Sequence, residues 1–204
     1  TTICSGSSAN IAATAIGGNP SYMYLWSDGS TTSVIEVTPF STTTYSLTVS
    51  DANGCTAMQS VTVEVSSPLD VMVNSSDLAC NGGTTEATVV VNGGAEPYIY
   101  SWSNGTMGAT ATIGAGYYIV TVTDSYGCSA EYSFTVTEPD LLVLSLSADS
   151  LSSSNPTANI NATIIGGNAP YSYQWSNGST ESSIQVNEAG VYSVTVVDSH
   201  GCSA

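Results

Sequence analysis

Residues 102–105 read Trp-Ser-Asn-Gly, and nearly the same letters return as Trp-Ser-Asp-Gly at 26–29 and Trp-Ser-Asn-Gly at 175–178. Each copy is followed by a tyrosine-led apolar segment and then by a Gly-Cys pair. A motif that returns after about 75 residues indicates a tandem array of similar small units. Such arrays more often form stalks and binding surfaces than enzymes, so the repetition limits the function before any single residue does.

The repetition divides the 204 residues into three predicted domains. We name them repeat one (residues 1–66), repeat two (67–139) and repeat three (140–204). Compared with repeat two, the first strand of repeat one is missing or short, and the last strand of repeat three is missing. The linkers between the repeats are very short, so we expect the domains to stack end to end as an extended, fairly stiff rod.

The uneven ends allow two interpretations. The chain resembles a window cut from a longer array, and this is the interpretation that we favour. In the alternative, the chain is whole, and the open third domain accepts a strand from a neighbouring molecule.

Every segment of the chain has the signals of short β-strands. Alternation of period two places Tyr45, Leu47 and Val49 on one face of a strand, and similar alternations follow Tyr118 and Tyr192. About seven short strands per repeat predict an all-β chain of three tandem two-sheet β-sandwiches. The expected core residues are one tryptophan per repeat and the tyrosine that starts the penultimate strand: Trp26, Trp102, Trp175, Tyr45, Tyr118 and Tyr192.

The charge of the chain excludes several classes of function. It has 16 acidic residues and no lysine or arginine, for a formal net charge of −16. Nucleic-acid binding and electrostatic attachment to anionic membranes need cationic side chains, so we expect neither. No apolar run is long enough for a membrane span, so no membrane insertion is expected. Acidity of this kind indicates solubility in a salty medium, where repulsion keeps neighbouring molecules apart.

The cysteines predict covalent cross-links within each domain. Cys4 and Cys55 in repeat one occupy places equivalent to Cys80 and Cys128 in repeat two, which predicts the disulfides Cys4–Cys55 and Cys80–Cys128. Closing loops of this length would contribute about 4 kcal/mol each. Disulfides imply an oxidising environment, so we expect an extracellular or cell-surface location.

Cys202 is expected to be unpaired. The place in repeat three that matches Cys4 and Cys80 falls near Ser152, so the domain lacks a second cysteine. A leftover thiol is the favoured interpretation. Pairing with residues beyond these 204, or with another chain, is the alternative.

No catalytic residue and no cofactor are predicted. The single histidine, His200, lies in a turn whose counterparts carry asparagine and tyrosine, so we interpret it as a variable turn residue rather than a general base. Calcium is the one metal to weigh, with Asp124, Glu138 and Asp140 as candidate carboxylate ligands. Because the acidic residues are not clustered, a solvated role for them is favoured over a metal site.

Repeat two combines three short motifs: Gly-Gly-x-x-Pro-Tyr at 93–98, Trp-Ser-Asn-Gly at 102–105 and Asp-x-x-Gly-Cys at 124–128. In this combination it closely resembles the SprB-type repeat of surface adhesins from gliding Bacteroidota. Repeat three matches from Gly166 to Cys202 but lacks the first cysteine. Repeat one departs more, and its residues 38–45 resemble the PKD-like or immunoglobulin-like (Ig-like) modules of the same giant proteins.

The resemblance implies an Ig-like sandwich, export by type IX secretion, and a place in a long surface filament that serves adhesion or gliding. Modules of this kind are mainly spacers, so it implies neither a catalytic nor a ligand site. We therefore expect a non-catalytic segment of a large extracellular adhesin. Its partners would be the neighbouring repeats of the same chain, and other regions would bind any surface glycan or cell target.

Two other functions remain open at the level of sequence. The first is a subunit of a self-assembling extracellular filament, joined to other copies by strand exchange or by bridging cations. The second is a set of accessory domains of a secreted hydrolase. In addition, Asp149-Ser150-Leu151 resembles the O-glycosylation sequence of Bacteroidota, with Ser150 as the acceptor.

Overall fold

The computed structural model describes residues 2–204, and their regular secondary structure consists of strands without helices. Repeat one contains β1 (Thr2–Ile3), β2 (Ala9–Ala12), β3 (Met23–Trp26), β4 (Val34–Val37), β5 (Thr43–Ser50) and β6 (Thr56–Val65). Repeat two contains β7 (Asp70–Asn74), β8 (Thr85–Asn92), β9 (Ile99–Trp102), β10 (Thr110–Ile113), β11 (Gly116–Thr123) and β12 (Ser129–Val136). Repeat three contains β13 (Val143–Ala148), β14 (Ala158–Ile165), β15 (Ser172–Trp175), β16 (Ser183–Val186) and β17 (Val194–Val197).

The chain forms two compact units. The first comprises Thr1–Val73, Val89–Ala109 and Ile119–Ser133. The second comprises Asn74–Thr88, Thr110–Tyr118 and Phe134–Ala204. Because this division crosses strands of repeat two, the three-domain boundaries at 66/67 and 139/140 remain a prediction.

Repeat one, within the first unit, is a two-sheet sandwich. One sheet has the order β1-β6-β5-β3, with β1 parallel to β6, and the other pairs β2 with β4. The buried residues between the sheets are Ile11, Trp26, Ile35, Val37, Leu47 and Val63. In chain order, β2 to β6 take the places of strands B, C, E, F and G of an Ig sandwich.

The same pairing recurs in the other two repeats. Repeat two has the sheets β10-β8-β7 and β12-β11-β9, and repeat three has β13-β14-β16 and β15-β17. The buried core of repeat three, in the second unit, consists of Ala158, Trp175, Ile184 and Val186. The chain therefore has an all-β, Ig-like fold.

Repeats one and two have six strands each and repeat three has five, fewer than the seven or so per repeat that the sequence predicts. The stretch after each tryptophan strand forms a turn. In repeat one, the Gly29 N–H donates to the Trp26 carbonyl at 3.0 Å, and Gly29 has a φ of 89°. The Trp26 indole N–H then donates to the Thr32 carbonyl at 2.9 Å. The indole therefore provides a hydrogen bond to a backbone carbonyl of this turn from inside the core.

The tryptophans lie in the core, and the tyrosines lie at its edge. Trp102 and Trp175 repeat the Trp26 bond, because each donates its indole N–H to the carbonyl six residues later. Tyr118 and Tyr192 are half-buried and donate their hydroxyls to the carbonyls four residues earlier, as in a tyrosine corner. Tyr45 is also half-buried and packs against the core of repeat one.

Candidate functional site

Two disulfide bonds connect successive repeats rather than closing single domains. Cys4 bonds Cys128 with Cα atoms 5.5 Å apart, and Cys80 bonds Cys202 with Cα atoms 5.6 Å apart. Among residues 2–204, Cys55 is the free cysteine, and it is exposed. The predicted pairs Cys4–Cys55 and Cys80–Cys128 are therefore wrong, as is the predicted unpaired state of Cys202.

Strand length explains why the predicted pairs do not form. Because β1 runs parallel to the last residues of β6, Cys4 lies at the opposite end of β6 from Cys55. The ten residues of β6 span about 33 Å, whereas a disulfide needs Cα atoms within about 7 Å. In the second unit, the Leu78 N–H donates to the carbonyl of Thr137, which follows β12, and Cys80 is bonded to Cys202.

The disulfides belong to two similar contact sets, which we call joints. The first joint lies within the first unit and consists of linker 66–69, the pair Gly93–Gly94 and the Cys4–Cys128 bond. The second joint lies within the second unit and consists of linker 139–142, the pair Gly166–Gly167 and the Cys80–Cys202 bond.

The glycine pair of each joint receives the linker backbone. At the first joint, the Gly94 N–H donates to the Ser67 carbonyl at 3.1 Å, and a β-carbon on Gly93 would collide with the Pro68 carbonyl. At the second joint, the Gly167 N–H donates to the Asp140 carbonyl at 2.9 Å. There a β-carbon on Gly166 would collide with the Leu141 carbonyl. Both pairs also have φ values between 64° and 76°, a region that favours glycine.

A buried aspartate organises the cysteine turn beside each glycine pair. Asp124 is 3% exposed, and its Oδ1 accepts the N–H groups of Tyr126 and Cys128, both at 2.9 Å. Its Oδ2 accepts the Ala95 N–H at 3.2 Å and the hydroxyl of Ser66, a linker residue, at 3.2 Å. The carboxylate therefore connects the cysteine turn, the glycine loop and the incoming linker.

The same turn recurs at the second joint. Asp198 Oδ1 accepts the N–H groups of His200 and Cys202, both at 2.9 Å, and Oδ2 accepts the Asn168 N–H at 2.9 Å. Burial of Asp124 and Asp198 opposes ionisation, but these backbone N–H donors outweigh it, so the pKa of each carboxyl lies below its ordinary value. The turns therefore hold charged carboxylates although the chain has no lysine or arginine.

The cysteine loop of the second joint is bound to the linker by two further hydrogen bonds. The Gly82 N–H donates to Glu138 Oε2 at 2.6 Å, and the Asn81 side-chain amide donates to the Pro139 carbonyl at 3.1 Å. Both bonds position Cys80 close to the linker.

The candidate calcium ligands have different surroundings from those that a metal site requires. Asp124 and Glu138 are each occupied by the hydrogen bonds described above, and Asp140 is exposed. In the part of the chain that the structure describes, no group of three or more His, Cys, Asp or Glu side chains could hold a metal ion. Calcium binding therefore gains no support from the geometry.

The remaining singled-out residues lie at the surface. His200 is exposed and stands 3.3 Å from the neighbouring Ser199 hydroxyl, in the cysteine turn of repeat three. Ser150 is exposed, so its glycosylation stays a prediction that this position permits. Residues 2–204 contain no helix that is long and apolar enough to cross a membrane.

Comparisons with known proteins agree with the repeat pattern. The SprB repeat family model matches residues 72–107 and 154–180, so these two segments are similar to SprB repeats. No curated protein sequence matches the chain.

Solved structures with some likeness include Ig-domain proteins and an outer capsid protein. The amphioxus IgVJ-C2 molecule is 17% identical, with a TM-score of 0.32, and the match covers 67% of this chain and 99% of that one. The eight N-terminal Ig domains of Down Syndrome Cell Adhesion Molecule are 13% identical, with a TM-score of 0.39, over 100% of this chain and 34% of that one. Three N-terminal domains of the bacteriophage RB49 Hoc protein are 16% identical, with a TM-score of 0.37, and the match covers 97% of this chain and 80% of that one. At these scores we base the Ig-like assignment on strand order alone.

Sequence reasoning missed the linkage between repeats, although a signal for it was present. Cys4 and Cys128 are separated by 124 residues, and Cys80 and Cys202 by 122. Nearly equal separations one repeat longer than expected indicate pairing with the next repeat. Pairing with the next repeat also gives Cys202 a partner, whereas pairing within single domains leaves it without one.

Proposed function

We propose that this chain is a non-catalytic spacer segment of a large extracellular adhesin, in which each repeat is covalently tied to the next. The chain carries SprB-type repeats on an Ig-like fold, and these are structural modules of the adhesin type. The observation that carries the proposal is the pair of equivalent disulfides, Cys4–Cys128 and Cys80–Cys202. Disulfides also favour a location outside the cytoplasm.

Covalent joints suit a protein that transmits force. In an array held by hydrogen bonds alone, a pulling force can open one domain after another and lengthen the chain. Here the two disulfides provide a shorter covalent path, from Cys4 to Cys128, back along the chain to Cys80, and then to Cys202. Force on the ends is therefore carried mainly by this path once the domains yield.

Single-molecule pulling on the 204-residue chain tests this mechanical role. At about 3.5 Å per residue, the oxidised chain should stop extending at about 190 Å and the reduced chain at about 710 Å. Disulfides confined to single domains would give about 370 Å for the oxidised chain, so the two pairings are distinguishable. A limit near the longer values before reduction would contradict the proposal.

Surface exposure tests the adhesin role separately. Antibodies raised against residues 2–204 should label intact cells of the source organism, and external protease should remove the label. Deletion of the segment from the full-length protein should leave the adhesive target unchanged but reduce its reach from the cell. Labelling that requires permeabilised cells would contradict an extracellular spacer.

A further inference from the structure

Repeat one contains a third copy of the receiving face of a joint. Its pair Gly17–Gly18 has φ values of 80° and 70°, and the Tyr22 hydroxyl donates to the Gly17 carbonyl at 2.6 Å. Tyr98 and Tyr171 make the same bond to Gly93 and Gly166.

The cysteine turn beside this face is also the same. Asp51 Oδ1 accepts the N–H groups of Asn53 and Cys55, both at 2.9 Å, and Oδ2 accepts the Asn19 N–H at 3.0 Å. The turn is therefore formed and ordered, as at the two joints, although Cys55 has no disulfide partner among residues 2–204.

The three faces differ in what occupies them. No linker approaches Gly17: a β-carbon there would have no neighbour within 4 Å among the described residues, whereas at Gly93 and Gly166 it would collide with a linker carbonyl. At Gly18 the nearest neighbours of a β-carbon would be atoms of the Asp51 side chain, whereas at Gly94 they would be atoms of Leu69 of the linker.

The strand that leads to this face is half the length of its counterparts. Strands β8 and β14 have eight residues each and continue up to the glycine pair, with β7 and β13 as their respective partners. Strand β2 has four residues and stops at Ala12. The Ala13 N–H still donates to the Ser33 carbonyl at 2.8 Å. Within residues 2–204, no strand pairs with 14–16, and Ile16 is 91% exposed. This segment has the sequence of a strand but not the neighbour that would complete it.

An apolar groove of about 560 Å³ lies between this unpaired segment and the first half of β6. Its apolar lining includes Ile11, Ala13, Ala15, Trp26, Leu47 and Val49, and Asp51 and Cys55 stand at one end. The groove therefore has the position of the first strand of the other repeats, and the free thiol has the position of a joint disulfide.

We infer that this face is a third joint: the groove binds a linker and first strand that run directly ahead of Thr2, and Cys55 bonds the loop cysteine of a further SprB-type repeat joined in tandem ahead of that linker. Its bound segment would resemble residues 66–76 in the groove, and its cysteine, equivalent to Cys80, would bond Cys55. A second copy of this chain fits less well. Its Cys4 and Cys80 are already in disulfides, so it offers no free loop cysteine.

Bond formation at this joint is a two-electron oxidation. The thiols of Cys55 and of the incoming cysteine lose two protons and two electrons as the S–S bond forms. A disulfide oxidant such as oxidised glutathione accepts them and leaves as two glutathione thiols.

The test is a lengthened chain with a copy of residues 67–138 and then a copy of residues 66–76 placed directly ahead of Thr1. This addition reproduces the spacing between linker and loop cysteine that repeat two has. After refolding with oxidised and reduced glutathione, free thiols are alkylated, and the disulfides are mapped by non-reducing digestion and mass spectrometry. We expect Cys55 to lose its reaction with the alkylating reagent and to be found bonded to Cys80 of the added copy.

The matched control carries Cys80→Ser in the added copy only, and there Cys55 should remain reactive. In both chains the Cys4–Cys128 and Cys80–Cys202 bonds show that the original repeats are folded, so this result is separable from the proposed spacer role. A reactive Cys55 alongside those two bonds, or a Cys55–Cys55 dimer, would overturn the inference.

A smaller addition tests the groove without the need for an extra domain to fold. A copy of residues 66–76 alone ahead of Thr1 supplies the strand but no cysteine. Hydrogen exchange at the amides of 14–16 should slow, while Cys55 stays reactive. Unchanged exchange at these amides would contradict the strand-binding part of the proposal.

Discussion

The cysteine turns of repeats one and two have equivalent backbone N–H hydrogen bonds but different partners. Asp124 lies in a turn whose cysteine is bonded to Cys4 and whose glycine loop contacts a linker. Asp51 lies in a turn with the same N–H donors, next to an open groove and the free Cys55. The difference teaches that the receiving face is specified locally. The Asp-x-x-Gly-Cys motif and the Gly-Gly pair form it whether or not a partner is bound.

The largest expected effect comes from opening the filled joint. Cys4→Ser removes the Cys4–Cys128 bond, and the chain-entropy loss for a loop of 124 residues predicts a destabilisation of about 5 kcal/mol. Urea unfolding followed by tryptophan fluorescence measures it. A midpoint equal to that of the unsubstituted chain would show that the disulfide does not stabilise this joint.

The glycine pairs should respond according to what faces them. Gly93→Ala combines the collision with the Pro68 carbonyl with a positive φ, and we expect a cost of about 3 kcal/mol. Gly17→Ala has the positive φ but open space, so we expect a cost of about 1 kcal/mol. Urea midpoints of the two variants give the comparison, and equal costs would mean that the linker can move away from Gly93 freely.

Acid should weaken the joint through Asp124. Its folded pKa lies below the ordinary value of 3.8, so its stabilisation is fully present above that value and is lost as the pH falls through the folded pKa. We expect the urea concentration at the unfolding midpoint to decrease as the pH is lowered below about 4. Asp124→Asn should make this midpoint less dependent on pH.

Two further variants locate the acid effect. Asp51→Asn should flatten the pH dependence less, because Asp124 alone of the two also accepts the hydroxyl of linker residue Ser66. Exposed Asp140→Asn serves as the control for the loss of one negative charge. An Asp124→Asn curve parallel to that of the unsubstituted chain would locate the acid sensitivity elsewhere.

The smallest effect is expected at the open face. Cys55→Ser changes an exposed, unpaired thiol, so we expect less than about 0.5 kcal/mol in the 204-residue chain. Urea unfolding beside Cys4→Ser makes the comparison direct. A loss as large as that of Cys4→Ser would mean that Cys55 already has a stabilising partner.

Local patterns were sufficient to predict the strands and much of the core. The alternation around Tyr45 and Tyr118 gave β5 and β11, because one strand face packs inward whatever its neighbours are. Trp26, Trp102 and Trp175 are buried as the fixed motif indicated. The predicted number of strands per repeat was too high. The stretch after each tryptophan strand is a turn whose carbonyl accepts the indole N–H, and it contains no separate strand.

The cysteine assignments failed for a reason that lies beyond local sequence. Equivalent positions in two repeats show that cysteines are related, but not which loops they approach. The parallel pairing of β1 with the end of β6 moves Cys4 about a strand length away from Cys55. Only that long-range pairing excludes the bond within repeat one.

The sequence by itself determined the β-strand content, the turn that each Asp-x-x-Gly-Cys motif forms, and the lack of lysine and arginine, because these depend on residue type and short-range periodicity. The tertiary structure alone decided which cysteines meet, which glycine pairs contact a linker, and where an apolar strand edge stays open. These depend on which ends of the strands come together in space, and residues more than a hundred positions apart set that arrangement.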